Sequence, residues 1–157
     1  MRINLVVIGK TDDKFILEGL IKYQSRLKHY ITFEYVELPD VKKNKRLSQE
    51  QQKKMEGVSL LNAVQPGDYV VLLDEKGKVF SSREFSAFVE KRMIAGTKRI
   101  MFFIGGPYGF SDDVYKIAND KVSLSKMTFS HQLVRLIFFE QIYRAMTILR
   151  NEPYHHD

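Results

Sequence analysis

The chain has 157 residues, enough for one domain with a sizeable core and short for two. It carries 25 Lys and Arg against 19 Asp and Glu, a formal net charge of +6, which favours an anionic partner such as RNA. Cysteine is absent, which excludes a disulfide scaffold, thiolate zinc sites and cysteine nucleophiles and fits a reducing cytosol.

Apolar runs alternate with helical patterns, the mark of an α/β domain. Residues 3–8 read as a first strand, and their apolar run lacks the length of a signal peptide. Asp12 or Asp13 can cap a helix in which Ile16, Leu20, Tyr23 and Leu27 recur at helical spacing. Residues 31–38 form a second strand, ended by Pro39-Asp40. The basic run Lys42, Lys43, Lys45, Arg46 reads as a solvated loop that, with Lys53 and Lys54, could contact phosphates. Ser48 and Gln51 have the spacing of a capping box for a polar helix.

Pro66-Gly67-Asp68 makes a turn before a strand at 69–73. Ser81 or Ser82 caps the next helix, where Phe85, Phe88, Val89 and Met93 share a face, and Gly96 closes it. Residues 99–104 give a fourth strand and residues 122–124 a short fifth. From 131 to 150 the pattern is helical and apolar on nearly every side, through Phe138, Phe139, Ile142, Tyr143, Met146 and Leu149. Such a helix needs cover on several faces, from a partner subunit or from the centre of the monomer core. Arg135, Glu140 and Arg144 interrupt it, so no apolar span reaches membrane length. No repeat or linker divides the chain, so residues 1–157 read as a single domain.

The segment Gly105-Gly106-Pro107-Tyr108-Gly109 leaves a strand as a glycine-rich turn, and glycine lets backbone N–H groups approach a ligand closely. It matches neither G-x-G-x-x-G nor a Walker A loop, and alone it reads as a tight turn. A second strand-exit loop, Leu124-Ser125-Lys126-Met127-Thr128-Phe129, precedes the long helix. Two such loops side by side make a pocket built largely of backbone, suited to a nucleoside-bearing cofactor. His29 ends a predicted helix, where the dipole accounts for it. His131, next to the second loop, is a structural hydrogen bonder or lines the pocket. His155-His156-Asp157 is a poor metal set, because adjacent side chains at a chain end seldom converge on one ion. No metal site is expected.

These residues together resemble the small SPOUT-superfamily methyltransferases of the RlmH type, which methylate pseudouridine at N3 in large-subunit ribosomal RNA. The likeness covers essentially the whole chain: Ile3-Asn4-Leu5-Val6-Val7-Ile8-Gly9-Lys10, residues 104–109, residues 124–132, Glu140-Gln141-Ile142-Tyr143-Arg144-Ala145 and Pro153-Tyr154-His155-His156. One departure is Ser130, where many members have proline; serine can begin the helix by capping.

The resemblance implies a single-domain trefoil-knotted α/β fold, an exception to the rule against knots. It also implies a cytoplasmic homodimer, S-adenosylmethionine as donor, and 23S ribosomal RNA of the assembled ribosome as substrate. Carried over by position, the cofactor residues are Leu73, Gly105, Gly106, Leu124, Ser125, Lys126, Met127, Thr128 and Phe129. A uracil-like N3 proton must leave before or during attack, which makes His155 and Tyr154 catalytic candidates and Arg144 their electrostatic partner. The dimer is expected to form largely through the helix at 131–150. The alternatives are a methyltransferase of the same scaffold acting on another RNA base, and a non-catalytic ribosome-associated RNA-binding protein.

Overall fold

Residues 1–41 and 46–156 are described by a computed structural model; Lys42, Lys43 and Lys45 of the basic run lie outside them. The apolar runs become five strands: β1 (Arg2–Ile8), β2 (Thr32–Leu38), β3 (Tyr69–Val79), β4 (Arg99–Ile104) and β5 (Asp120–Ser123). Between and after them lie α1 (Lys14–Leu27), α2 (Gln49–Asn62), α3 (Ser82–Ile94), α4 (Asp112–Ile117) and α5 (His131–Leu149). The strands make one sheet of order β2-β1-β4-β3-β5 in which every pairing is parallel. Both faces are buried, as a parallel sheet requires.

Alternation along the strands divides the core. Leu5 and Val7 of β1, Val71 of β3 and Phe102 of β4 face α1, α3 and α5. Val6, Leu72, Met101 and Phe103 face the other way, onto Leu60 of α2 and Val114 of α4. This is a three-layer α/β/α arrangement, and continuous burial from Ile3 to Ile8 explains why β1 shows no polar alternation apart from Asn4. Asn4 itself donates to Glu34 of β2 at 2.8 Å.

Local signals account for the helix starts. Ser48 and Ser81 each accept from the backbone N–H three residues on, while Gln51 and Glu84 reach back to close full capping boxes. Ser130 accepts from the Leu133 N–H at 3.2 Å, so serine does cap α5. Asp13 occupies the N-cap of α1 without a side-chain bond. Gln132 of α5 serves that turn instead, accepting from the Asp13 N–H at 2.8 Å.

The structure corrects three expectations. β3 runs on to Val79 rather than ending at Leu73, with an irregularity between Leu73 and Lys78 where both residues register against Val122. A short helix, α4, fills the segment after the glycine-rich turn. The third correction concerns α5. It packs between α1 and α3, and Phe138, Phe139 and Ile142 have no exposure at all. Phe139 sits 4.8 Å from the Phe33 ring, and Ser86 of α3 donates to the Ala145 carbonyl at 3.0 Å. Phe138, Phe139, Ile142 and Met146 are therefore covered from within the chain and are closed to a subunit interface, while Tyr143 and Leu149 of the same arc remain half-buried. Among the described residues no helix is long and apolar enough to cross a membrane.

Candidate cofactor cleft and tail site

Register brings the strand-exit loops together. Leu73 of β3 pairs with Ile104 of β4 on one side and with Val122 of β5 on the other. The glycine-rich turn leaves immediately after Ile104 and the 124–129 loop shortly after Val122, so both emerge beside Leu73 at the carboxyl end of the sheet. In open α/β sheets that edge is where ligands bind.

Two adjoining hollows result. The larger, about 430 Å³, lies between residues 73–76 and the 104–110 turn, closed by Tyr115, Phe129, His131 and Val134. The smaller, about 120 Å³, lies between residues 73–75 and the 123–129 loop. Leu73, Asp74, Glu75, Phe129 and Val134 line both, so the two are halves of one cleft. The larger half alone falls in the size range of small-molecule sites.

Of the cofactor residues named from sequence, Leu73, Gly105, Gly106, Leu124, Ser125, Met127, Thr128 and Phe129 line this cleft. Lys126 is exposed and lines neither half. The second loop is tied by its own hydroxyls: Ser123 donates to the Ser125 carbonyl at 2.9 Å, and the Met127 N–H donates to Ser125 Oγ at 2.9 Å. The first is pinned by the Gly109 N–H donating to the Gly106 carbonyl at 3.1 Å. His131 opens α5 at the rim and lines the cleft, the second of its two readings.

Gly105 and Gly106 sit where space is tight, and neither has a positive φ. A Cβ on Gly105 would lie 3.2 Å from both the Gly109 carbonyl oxygen and Phe110. A Cβ on Gly106 would collide with the carboxylate of Glu56 on α2. Glu56 is 2% exposed. Its Oε1 accepts from Gln52 Nε2 at 3.0 Å, and its Oε2 is buried without a hydrogen-bond partner among the described residues. Burial pushes this carboxyl up, Gln52 and His131 oppose that, and the nearby Asp40 adds to it.

Asp74 and Glu75 follow Leu73 into the cleft. Asp74 accepts from the Tyr115 hydroxyl, and burial followed by that bond raises the Tyr115 phenol strongly. These side chains give the cleft acidic oxygens beside apolar walls, a donor set that fits a cationic, nucleoside-bearing molecule.

The three candidate catalytic residues assemble elsewhere. Tyr154 folds back onto α5 and α1, its ring 4.8 Å from the Tyr143 ring with the Arg144 guanidinium 4.8 Å above it. Its hydroxyl lies 3.2 Å from Glu140 Oε1 and 3.4 Å from the Tyr23 hydroxyl. Arg144 Nη2 donates to Glu140 at 2.5 Å and Nη1 bonds to His155 Nδ1 at 3.2 Å. A guanidinium cannot accept, so His155 Nδ1 is the acceptor and the imidazole proton belongs on Nε2. Burial, the Tyr23 bond and Glu140 raise the Tyr154 phenol strongly, so at neutral pH it is a neutral donor. Arg144 is about 15 Å along α5 from Val134 at the cleft, by helical rise.

Sequence reasoning missed Glu56, Val134, Tyr115 and Glu140. Glu140 was quoted within a motif without a role, and Glu56 sits in a polar helix where nothing in the local pattern sets it apart. Among the described residues no group of three His, Cys, Asp or Glu could hold a metal.

The model of a family described as predicted SPOUT methyltransferase matches residues 1–155. The chain belongs to the SPOUT methyltransferases. This SPOUT chain is 61% identical over 157 residues to the ribosomal RNA large subunit methyltransferase H of Parabacteroides distasonis, with 100% of each chain covered. It is 63% identical to the protein of that description from Christiangramia forsetii, with 99% of each covered. Among solved structures, a probable methylase family protein from Haemophilus influenzae shares the fold at a TM-score of 0.51 and 10% identity, over 99% of this chain and 70% of that one.

Proposed function

We propose that this SPOUT methyltransferase transfers a methyl group from S-adenosylmethionine to N3 of pseudouridine in 23S ribosomal RNA of the assembled ribosome. The observation that carries the reading is the single cleft that two strand-exit loops form around Leu73. The full-length likeness to ribosomal RNA large subunit methyltransferases supports the RNA substrate, as does the formal charge of +6. The reading includes a trefoil knot at these loops and a cytoplasmic location.

S-adenosylmethionine supplies an already electrophilic methyl, so the protein's work is alignment and management of the N3 proton. Leu73, Leu124, Met127 and Phe129 give apolar walls for an adenine, and Asp74 and Glu75 face the cationic part. Arg144 is the group we assign to the charge that develops on the base as its proton leaves. Tyr154, a neutral phenol, hydrogen-bonds or stacks on the base. His155 Nδ1 is engaged by Arg144, so the imidazole acts as a base only when that bond opens.

Arg144 and the tail lie a long way along α5 from their own cleft. The reading therefore has a homodimer in which one subunit's tail completes its partner's site. The exposed apolar side chains Phe15 and Ile21 of α1, 60% and 66% exposed, are the interface candidates in place of the buried face of α5. The deciding experiment pairs calorimetry of S-adenosylmethionine binding with mass spectrometry of ribosomal RNA from a deletion strain. Binding together with loss of one N3-methylpseudouridine upholds the reading. An unchanged N3 with a different base losing its methyl favours the alternative target.

A further inference from the structure

Glu56 is a charged side chain from a polar helix that is turned fully inward, and its place is behind the glycine-rich turn. Gln52, one helical turn earlier, fixes the carboxyl by donating to Oε1. The other oxygen has no hydrogen-bond partner among the described residues and lies against the Gly106 backbone, in the space a Cβ there would need. Because Gly106 has no positive φ, alanine fits its backbone angles, and it could enter only by displacing the Glu56 carboxyl. An unpaired buried oxygen in a native core calls for a reason.

We infer that Glu56 is a positioning residue for the cofactor: its carboxyl buttresses the Gly105–Gly106 backbone from behind and sets that wall of the cleft. The inference rests on the reading that the cleft takes S-adenosylmethionine. Glu56 touches no ligand in this role. It acts through the turn, filling the space behind it with one oxygen accepting from Gln52. Glutamine reproduces that shape and that acceptor; alanine leaves the turn unsupported.

The test is a mutant cycle read by S-adenosylmethionine titration, with thermal melting to score folding. Glu56→Ala should weaken binding roughly tenfold, as expected for coupled neighbours. It should raise KM for the donor while kcat at saturation stays near wild type. Glu56→Gln should bind within about twofold of wild type, since its contacts are conserved. Gly106→Ala should bind poorly, and adding Glu56→Ala to it should restore affinity by freeing the space. If the double variant does not fold, Gly106→Ala with Glu56→Asp makes the same comparison by withdrawing the carboxyl one methylene.

Double-variant binding no better than Gly106→Ala alone overturns the inference, as does Glu56→Ala binding like wild type. Equal losses for Glu56→Gln and Glu56→Ala overturn it too, because an isostere that keeps the shape and the Gln52 contact should suffice. A wild-type protein that binds no S-adenosylmethionine overturns the functional reading itself, a result distinct from all of these.

Discussion

Removing residues 154–157 separates the roles of the tail. Tyr154 is lost with its edge-on contact to Tyr143, the Arg144 guanidinium over its ring and its hydroxyl bonds to Glu140 and Tyr23. The ring pair and the cation contact contribute about 1–2.5 kcal/mol together. Two long hydroxyl bonds at half-exposed positions add about 1 kcal/mol. Against this stands the ordering of the removed backbone, about 1–2 kcal/mol per residue for those that are fixed. The two contributions are of similar size and opposite sign, so the net change in stability is about 1 kcal/mol or less, a shift of no more than roughly 4 °C in Tm for a chain of this size. Glu152 remains to accept from the Tyr30 hydroxyl, so the end of α5 stays anchored. Cofactor affinity should be unchanged, because no cleft-lining residue belongs to the tail. Methylation of ribosomes should fall by about 100-fold or more, the scale of lost proton-transfer or charge-stabilising groups. Tyr154→Phe should keep the ring contacts, lose about 1 kcal/mol with the two hydroxyl bonds, and slow methyl transfer about tenfold. Single-turnover methyl transfer with titration calorimetry reads both quantities. A truncated enzyme with wild-type turnover refutes a catalytic tail, and one that no longer binds cofactor makes the tail structural.

Gly105→Val should abolish cofactor binding by calorimetry, and the damage begins in the turn itself, where the new Cβ meets Gly109 and Phe110; equal binding refutes the placement. Phe139→Ala should cost about 3–5 kcal/mol in a denaturant melt, since the ring is fully buried against Phe33 and Tyr35; a loss under about 1 kcal/mol contradicts the packing. Phe139→Glu is for the same reason a folding probe and not a dimer probe. Ile21→Glu on the exposed side of α1 should instead lower the mass found by light scattering from dimer toward monomer, with no change in Tm beyond the loss of association. Glu56 is raised chiefly by burial, so its contribution to stability is full below the ordinary carboxylate value and is lost as pH rises through the raised one. Glu56→Gln should remove that decline in Tm with pH, and an unaltered profile assigns it to other groups.

Periodicity reveals three of the five strands, β1, β2 and β4, to within a residue, because a largely buried parallel sheet writes itself as continuous apolar runs. β4 coincides with its predicted span, the Ser48–Gln51 spacing marks the start of α2, and Ser81 is the one of the two candidate caps that starts α3. β3 was cut short because Asp74-Glu75-Lys76-Gly77 breaks the apolar run, and only pairing with β5 carries it onward. α4 escaped notice since six residues give too little periodicity. The apolar circumference of α5 was plain, but sequence could not say what covered it; α1 and α3 do. For the cleft, both loops stood out by their glycines and small polar residues, and the resemblance named Leu73 as their neighbour. Glu56 was invisible because burial of one carboxylate in a polar helix is decided by a glycine fifty residues away.

The strand order bears on how the chain is made. β1 is the first strand synthesised, and its lateral neighbours are β2 and β4. β2 arrives early, but β4, which alone joins β1 to β3, is complete only at Ile104. The helix that seals β1's face against α1 and α3 is later still, the last element of all. A nascent chain emerging at about 5–20 residues per second must therefore carry an uncovered apolar first strand for several seconds before any central pairing is possible. Long-range parallel pairing of this kind folds slowly. The central β1–β4–β3 pairing must therefore await Ile104, and the cover that α5 gives it must await the final helix.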